Sequence, residues 1–534
     1  MRNSANMAAG TVLSRVTGVL RDMAMTAALG FFIVSDAYSL GNTLPNILYI
    51  LVIGGAVNAV FVPQLVRHMH SDDDDGKAFA DRLLSVLGFA LLGLSVVSVI
   101  AAPWIVSIYA TSDLSQSQFD LAVAFARLCL PQIFFYGVYT LLNQVLNARG
   151  HFKAGAYAPI LNNIVAIVVF LGFLVVAQPQ ADSLTSLTDG QVWWLGLGTT
   201  LGVAVQALIL FPAVRRSGYS FSFRSDWRGS GLGKAGGLAA WTLGLVAVNQ
   251  IAYAVITRLA TSTNVAAQQL GEVATGLTTY QKAHLIFILP HSVVTVSLVT
   301  ALLPQLSKLA HDGDLEAMGR NVGSAARTVL ALIVPMSILL AFSAPEISVV
   351  LFGNGVAGAE AARAAGDVVS WFAIGLPAYS LIYVLFRAWY AQENTRTPFW
   401  FAVLINVVNL GIAYPLFMQA TVDQKINTLA IGYSAAYTVA VLVAWLRLSK
   451  KLPGLETGRT ALTFLKVTIA AGIAASVASL ALPGTLFGAG FLGDFASIVA
   501  TWLVGGVGFA GLAVLLRVNE VNQALAIVRR RLGK

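Results

Sequence analysis

The chain has 534 residues, 57% of them hydrophobic and only 11% charged, with 33 Lys and Arg against 24 Asp and Glu for a formal charge of +9. Soluble domains carry about 25% charged residues, so an ordinary soluble globular protein is excluded and a polytopic membrane protein is expected. The basic excess reads as an orientation signal rather than as affinity for nucleic acid, because no basic patch interleaved with aromatics accompanies it.

In chain order, Met1 to Asn6 is short and polar and does not read as a cleavable signal. Apolar runs bounded by charge or turn clusters then predict fourteen spans. The first, near 8–30, is interrupted by Arg15, Arg21 and Asp22. The second, near 38–66, is too long for a straight span, and Pro45, Gly54 and Gly55 inside it predict a broken or tilted helix. Asp36 falls at the turn before it, and Asn42 and Asn46 flank Pro45. The run Asp72–Asp75 reads as a solvated loop. Spans follow near 83–110, 121–147 with Arg127, 155–178 with Asn162 and Asn163, and 192–214. The second half begins near 235–262, which ends at an outer-facing Arg258, and 273–306, which carries Gln281, Lys282, His284 and His291. It continues near 324–353, 365–392 with Arg387, 398–420 with Asn406 and Asn409, 427–448, 461–483 and 490–517. The single cysteine, Cys129 in the fourth span, excludes an intramolecular disulfide framework and a Cys-based zinc finger.

The loops orient these spans. Connections after even-numbered spans are rich in Lys and Arg, for example Arg215, Arg216, Arg224, Arg228 and Lys234, or the tail Arg529, Arg530, Arg531 and Lys534. Those after odd-numbered spans are nearly free of them; 111–120 and 179–191 contain none. The alternation places both termini in the cytoplasm.

An internal repeat organises the chain further. "LPQIFFYGVYTLLNQVLNARG" begins at Leu130 and "LPAYSLIYVLFRAWYAQENTR" at Leu376, and both Pro131–Asn163 and Pro377–Asn409 span an interval of 32, an offset of 246. "VPQL" at 62–65 and "LPQL" at 303–306 repeat at a similar offset of 241. Six spans repeating in one orientation predict an all-α fold of two six-helix lobes in a parallel pseudo-two-fold repeat. The predicted divisions are 1–216 (spans 1–6), 217–450 (spans 7–12), 451–518 (spans 13 and 14) and a basic cytoplasmic tail, 519–534. Two such lobes make a transporter architecture.

Arginine deep in a membrane costs about 2.5–3.5 kcal/mol on insertion scales and should face protein or water. At 1.5 Å per residue Arg15 lies about 10 Å and Arg21 about 20 Å from the cytoplasmic side. Asp22, seven residues after Arg15, shares its helical face and is expected to pair with it, leaving Arg21 for another partner. The set is either a buried structural ion pair or a cationic cavity wall. Lys282 either faces the interior or snorkels outward, while histidines on such a helix face, here His284 and His291, are more often hydrogen-bonded core residues than ligands. Arg127 and Arg387 read as interface residues, structural or functional. No P-loop, G-x-S-x-G, H-E-x-x-H or deep carboxylate pair is present, so no catalytic residues and no metal site are expected. Transport would then draw on a monovalent-cation gradient, the membrane potential or downstream consumption.

"SRVTGVLRD" followed by "SDAY", "LPN" and "NAVFVPQL", all within the first two spans, resembles the MurJ/MviN lipid II flippases of the multidrug/oligosaccharidyl-lipid/polysaccharide exporter superfamily. The span count and the repeat extend the resemblance over essentially the whole chain. It implies a bacterial cytoplasmic-membrane protein that moves the undecaprenyl-diphosphate-linked disaccharide-peptide precursor from inner to outer leaflet by alternating access. Its headgroup would occupy a cationic cavity, and spans 13 and 14 would form a groove for the polyprenyl tail. The resemblance makes Ser14, Arg15, Arg21, Asp36 and Asn46 substrate-binding positions. It implies lipid II and membrane lipids as partners, with cell-wall synthesis and division proteins as further ones. The sequence departs from the family where many members carry an arginine and a glutamate beyond the span-2 proline, here Tyr49 and Gly54, and an arginine in span 8, here Leu285. Lys282 and His284, within a turn of Leu285, are expected to supply that charge. Membrane carboxylates of a sodium site are not visible in spans 7, 11 or 12. The alternatives are an exporter of another polyprenyl-linked polysaccharide or of drugs, which would need embedded carboxylates for ion coupling, and a non-transporting scaffold for wall synthesis.

Overall fold

The computed structural model describes residues 2–51, 76–180, 186–226, 236–482, 484–488, 490–523 and 526. Every regular element among them is helical, and twelve helices are long and apolar enough to cross a membrane. These twelve coincide with expected spans 3 to 14. The first two spans fall on α1 (Arg2–Leu29), which Arg15, Arg21 and Asp22 interrupt, and α2 (Ile33–Tyr49), of 17 residues. The rest of the second span with Gly54 and Gly55, the motif at 62–65, Arg67, the run Asp72–Asp75, Arg228, Lys234 and the cationic end of the tail lie outside the described residues.

The chain divides into two compact units, Met1–Gln269 with Gly276–Thr278 and Asn354–Gly358, and Leu270–Thr275 with Thr279–Gly353 and Ala359–Lys534. The seventh span is therefore grouped by packing with the six before it, whereas the repeat groups it with those after it.

The first unit continues with α3 (Lys77–Ile100), α4 (Ala102–Tyr109), α5 (Gln116–Cys129), α6 (Gln132–Ala148), α7 (Phe152–Ala177), α8 (Asp189–Leu208), α9 (Leu210–Arg216) and α10 (Gly236–Leu270). Reciprocal capping boxes start two of them: Ser115 with Gln118 at α5 and Thr188 with Gln191 at α8, each satisfying two backbone N–H groups that a helix start leaves unpaired. Close approach depends on small residues. A Cβ on Gly41 of α2 would lie 2.7 Å from Phe125 Cβ of α5, and Phe125 and Ala126 are fully buried there.

The second unit contains most of α11 (Leu277–Pro290), a π-helical turn at His291–Thr295, α12 (Val296–His311), α13 (Leu315–Phe352), α14 (Ala359–Ala391), α15 (Arg396–Gln419), α16 (Lys425–Ser449), α17 (Thr457–Ala481) and α18 (Phe491–Leu515). The apolar run of span 9 begins at 324, but α13 starts nine residues earlier because the Asp314 carboxylate accepts from Ala317 N–H at 2.8 Å. The core packs Met318, Val322 and Ala326 of α13 against Leu385 and Ala388 of α14 and Ala440 and Ala444 of α16. Along α17, Ala470, Ala471, Ala474, Ala475 and Ala478 form a buried stripe, while Leu462, Leu465, Ile469, Ile473 and Val477 are exposed. That is how a helix between protein and lipid should look.

Prolines inside these helices free the carbonyl four residues earlier, because proline has no N–H. Neighbouring side chains take up three of those carbonyls. Tyr139 Oη donates to Gly155 O, freed by Pro159, at 3.0 Å. Ser370 Oγ of α14 donates to Ala341 O of α13, freed by Pro345, at 2.9 Å. Ser337 Oγ of α13 returns the favour at Ala373 O of α14, freed by Pro377. The repeat-equivalent proline, Pro131, instead separates α5 from α6, and there Thr200 Oγ1 donates to Leu128 O at 2.8 Å.

Candidate substrate-binding residues

On α1, Asn163 from α7 organises the charged stretch. Its Nδ2 donates to Ser14 O and to Thr17 Oγ1, both at 3.0 Å, and its Oδ1 accepts from Arg21 Nη1 at 3.3 Å. Arg21 Nη2 pairs with Asp22 Oδ2 at 2.9 Å, the two side chains being 37% and 12% exposed. Asp22 thus bridges to Arg21, and the expected pairing with Arg15 is corrected. Seven residues are about 10.5 Å of helix rise, farther than the two side chains bridge comfortably, whereas the long arm of the adjacent arginine folds back. Arg15 is exposed, on the side of α1 that also exposes Val12 and Val16, and Ser14 is half-buried. Of the five guanidinium N–H groups of Arg21, Asn163 and Asp22 take two.

Asp36 lies in the first turn of α2 rather than in the preceding turn, since α2 starts at Ile33. It is 1% exposed. Its carboxylate accepts from Leu277 N–H at 3.0 Å, Thr278 N–H at 2.7 Å and Asn264 Nδ2 at 3.0 Å. The hydroxyls of Ser35 and Ser39 meet Thr278 Oγ1 at 3.0 and 3.1 Å. Asp36 therefore caps the start of α11 from another helix, filling the role a local Ser or Asp would play. Gly276 leaves room for it, since a Cβ there would overlap Asp36 Oδ2. Asn46 is exposed beside a buried Pro45.

In the second unit Lys282 is 4% exposed, so it does not snorkel to the surface. His284 is half-buried, with Nε2 3.5 Å from Tyr433 Oη and its ring against Phe287 and Phe372. His291 Nδ1 meets Ser380 Oγ at 3.0 Å. Arg387 stacks on Tyr383 at 4.4 Å, while Arg127 and Arg258 are exposed. Of the substrate-binding residues named from the sequence, Ser14, Arg15 and Arg21 lie on α1, Asp36 and Asn46 on α2, and Lys282 and His284 on α11. Cys129 is buried.

Sequence reasoning missed three arrangements. Arg327 is buried in α13 and pairs with Glu456 at 2.8 Å and Glu520 at 3.0 Å. The segment after α9 lies along α3: Asp81 Oδ1 accepts from Tyr219 Oη at 2.6 Å and Ser222 N–H at 3.1 Å, Lys77 pairs with Asp81 at 2.7 Å, and Arg82 pairs with Asp226 at 2.6 Å. Burial, and then the bond to Asp81, push the Tyr219 phenol well above the ordinary tyrosine value, and the hydrogen bond from Arg82 holds the Asp226 carboxyl below the usual range. The third is a connected aromatic face on α11, α14 and α16, which the four-residue spacing of Tyr379 with Tyr383 and of Tyr433 with Tyr437 could have signalled.

Twelve helices of this length and apolar surface define a multi-pass membrane protein. The fold agrees. The chain is similar to a solved structure of lipid II flippase MurJ in an inward closed conformation, with a TM-score of 0.73 at 19% identity over 96% of this chain and 99% of that one. It is also similar to a multidrug resistance MATE family transporter of the MOP superfamily, inward-facing, with a TM-score of 0.62 at 16% identity over 82% and 95%. The family model "Lipid II flippase MurJ" matches residues 25–501. The lipid II flippase MurJ of Burkholderia cenocepacia is 29% identical over 446 residues, 82% of each chain. The chain belongs to the MurJ lipid II flippase family, which comprises membrane flippases and not catalysts.

Proposed function

We propose that the protein carries lipid II from the inner to the outer leaflet of the bacterial cytoplasmic membrane by alternating access, with the headgroup diphosphate held in an arginine-lined cavity. The family match over residues 25–501 carries the reading. The chemistry of α1 supports it. A diphosphate leaving water loses hydration that only matched donors replace, and a planar guanidinium supplies paired N–H groups to its oxygens. Asn163 and Asp22 fix the Arg21 fork while leaving it more than a third exposed. Arg15 and Ser14 extend the site along the same helix, and Asn46 extends it from α2. In the second unit, Lys282 and His284 are the candidate substrate-binding residues, beside Leu285, where many family members carry an arginine. Asp36 serves by holding the start of α11. We take the drive to be a monovalent-cation gradient or the membrane potential, and both termini to be cytoplasmic.

Depleting the protein in its host tests the function: lipid-linked precursor should accumulate on the cytoplasmic leaflet. A host in which it does not, and which has no second flippase, rejects the reading. Arg21→Ala should abolish complementation at normal membrane levels, with Arg21→Lys retaining part of it. A stable, fully functional Arg21→Ala protein rejects the cavity assignment.

A further inference from the structure

Tyrosine in membrane proteins concentrates at the water interface, where ring and hydroxyl find different surroundings. The second unit instead gathers tyrosines within three helices. Phe287 and Phe372 form a fully buried floor, their centroids 5.3 Å apart. Above it Tyr379 meets His291 at 4.6 Å, Tyr437 at 4.9 Å and Phe287 at 5.3 Å, and lies 6.2 Å from Tyr433 with the two rings inclined by 30°. The layers differ in exposure: both phenylalanines are closed off, whereas Tyr379, Tyr383, Tyr433, Tyr437 and His284 are half-buried. Among the described residues, the hydroxyls of Tyr379 and Tyr383 bond to no protein group. A lipid-facing surface would not present such hydroxyls, because hydrocarbon offers them no partner.

The tyrosines sit in uncharged stretches of their helices, and Arg387, one turn beyond Tyr383, lies over the Tyr383 ring at 4.4 Å. Neither 368–386 of α14 nor 426–446 of α16 contains Asp, Glu, Lys or Arg. Away from Arg387, around Tyr379, Tyr433 and His284, the face offers flat rings interleaved with neutral donors and acceptors. Pyranose rings match that combination, with axial C–H groups that lie on aromatic faces and hydroxyl and amide groups that bond to phenols and imidazole.

We propose that this face is a saccharide platform, on which Tyr379 and Tyr383 stack the sugar rings of the transported headgroup while His284 and Tyr433 bond their polar edges. The assignment rests on the flippase reading above and adds to it a site for the uncharged part of the substrate.

Binding to the full chain in lipid nanodiscs tests it with three probes: undecaprenyl diphosphate, the same lipid bearing the disaccharide without peptide, and complete lipid II. The unaltered chain should bind both sugar-bearing probes more tightly than bare undecaprenyl diphosphate. Tyr379→Ala should weaken both by on the order of tenfold and leave the bare diphosphate unchanged. Tyr379→Phe and Tyr383→Phe, which keep the rings and their packing, should each cost about threefold on the same two probes, and they carry the test if Tyr379→Ala does not fold. Arg21→Ala should weaken all three probes. Equal loss on the bare diphosphate, loss confined to the peptide-bearing probe, or no loss in any tyrosine variant overturns the platform. So does an unaltered chain that binds all three probes equally, an outcome that leaves the flippase reading standing. An unaltered chain that binds none removes both.

Discussion

Replacing Asp36 by alanine would separate support from substrate contact at this position. The change withdraws the acceptor from three buried donors: Leu277 N–H, Thr278 N–H and one N–H of Asn264. Each buried donor left unpaired costs about 1–3 kcal/mol. Relief of carboxylate burial and entry of water offset part of this, and Asn264 keeps its other bond, to Phe31 O at 2.8 Å. The net loss should be roughly 2–4 kcal/mol. At about 2–4 °C per kcal/mol for a unit of this order of size, unfolding should move down by roughly 5–15 °C. Asp36→Asn, which retains one oxygen, should lose about half as much. Tryptophan-detected melting in detergent without lipid II reads the shift, and hydrogen exchange over 274–280 should quicken in the alanine variant. A melting temperature within about 1 °C of the unaltered chain, with unchanged exchange, would refute the capping role and return Asp36 to the substrate.

Two further outcomes follow from side chains outside the candidate site. Arg327→Leu strands the largely buried Glu520 without its cation, which should cost about 3–5 kcal/mol; adding Glu520→Gln should recover much of it, and melting of the single and double variants checks this. The raised value of the Tyr219 phenol means that its contribution is fully present below the ordinary tyrosine value of about 10 and is lost as pH rises toward the folded value. The melting difference between the unaltered chain and Tyr219→Phe should hold from neutral pH to about 9 and shrink above 10; a difference that grows there would contradict the Tyr219–Asp81 bond.

Twelve spans could be placed from apolar runs because lipid demands continuous hydrophobicity, a one-dimensional property. Helix ends were less legible, as at α13, where the Asp314 cap recruits polar residues that a hydropathy scan leaves out. The importance of Arg21 and Asp22 followed from charge in an apolar stretch, but their pairing did not, because it depends on how two side chains fold over one turn and on Asn163 arriving from α7. Partners distant in sequence were invisible for the same reason: nothing in "SDAY" names Leu277 and Thr278, and nothing near Arg327 points to Glu520. The repeat flagged Asn163 and Asn409 alike, yet only Asn163 has an arginine to hold. Asn409 is also buried, and its Oδ1 has no partner among the described residues.

The exchange of serines between α13 and α14 bears on how the chain is made. Ser337 covers the carbonyl freed by Pro377, and Ser370 covers the one freed by Pro345. Either helix released alone into the bilayer during synthesis would carry a bare carbonyl into hydrocarbon, at a cost of several kcal/mol. The two cover each other only when they lie antiparallel in this one register, so biogenesis should favour their leaving the insertion machinery together, as a hairpin already docked.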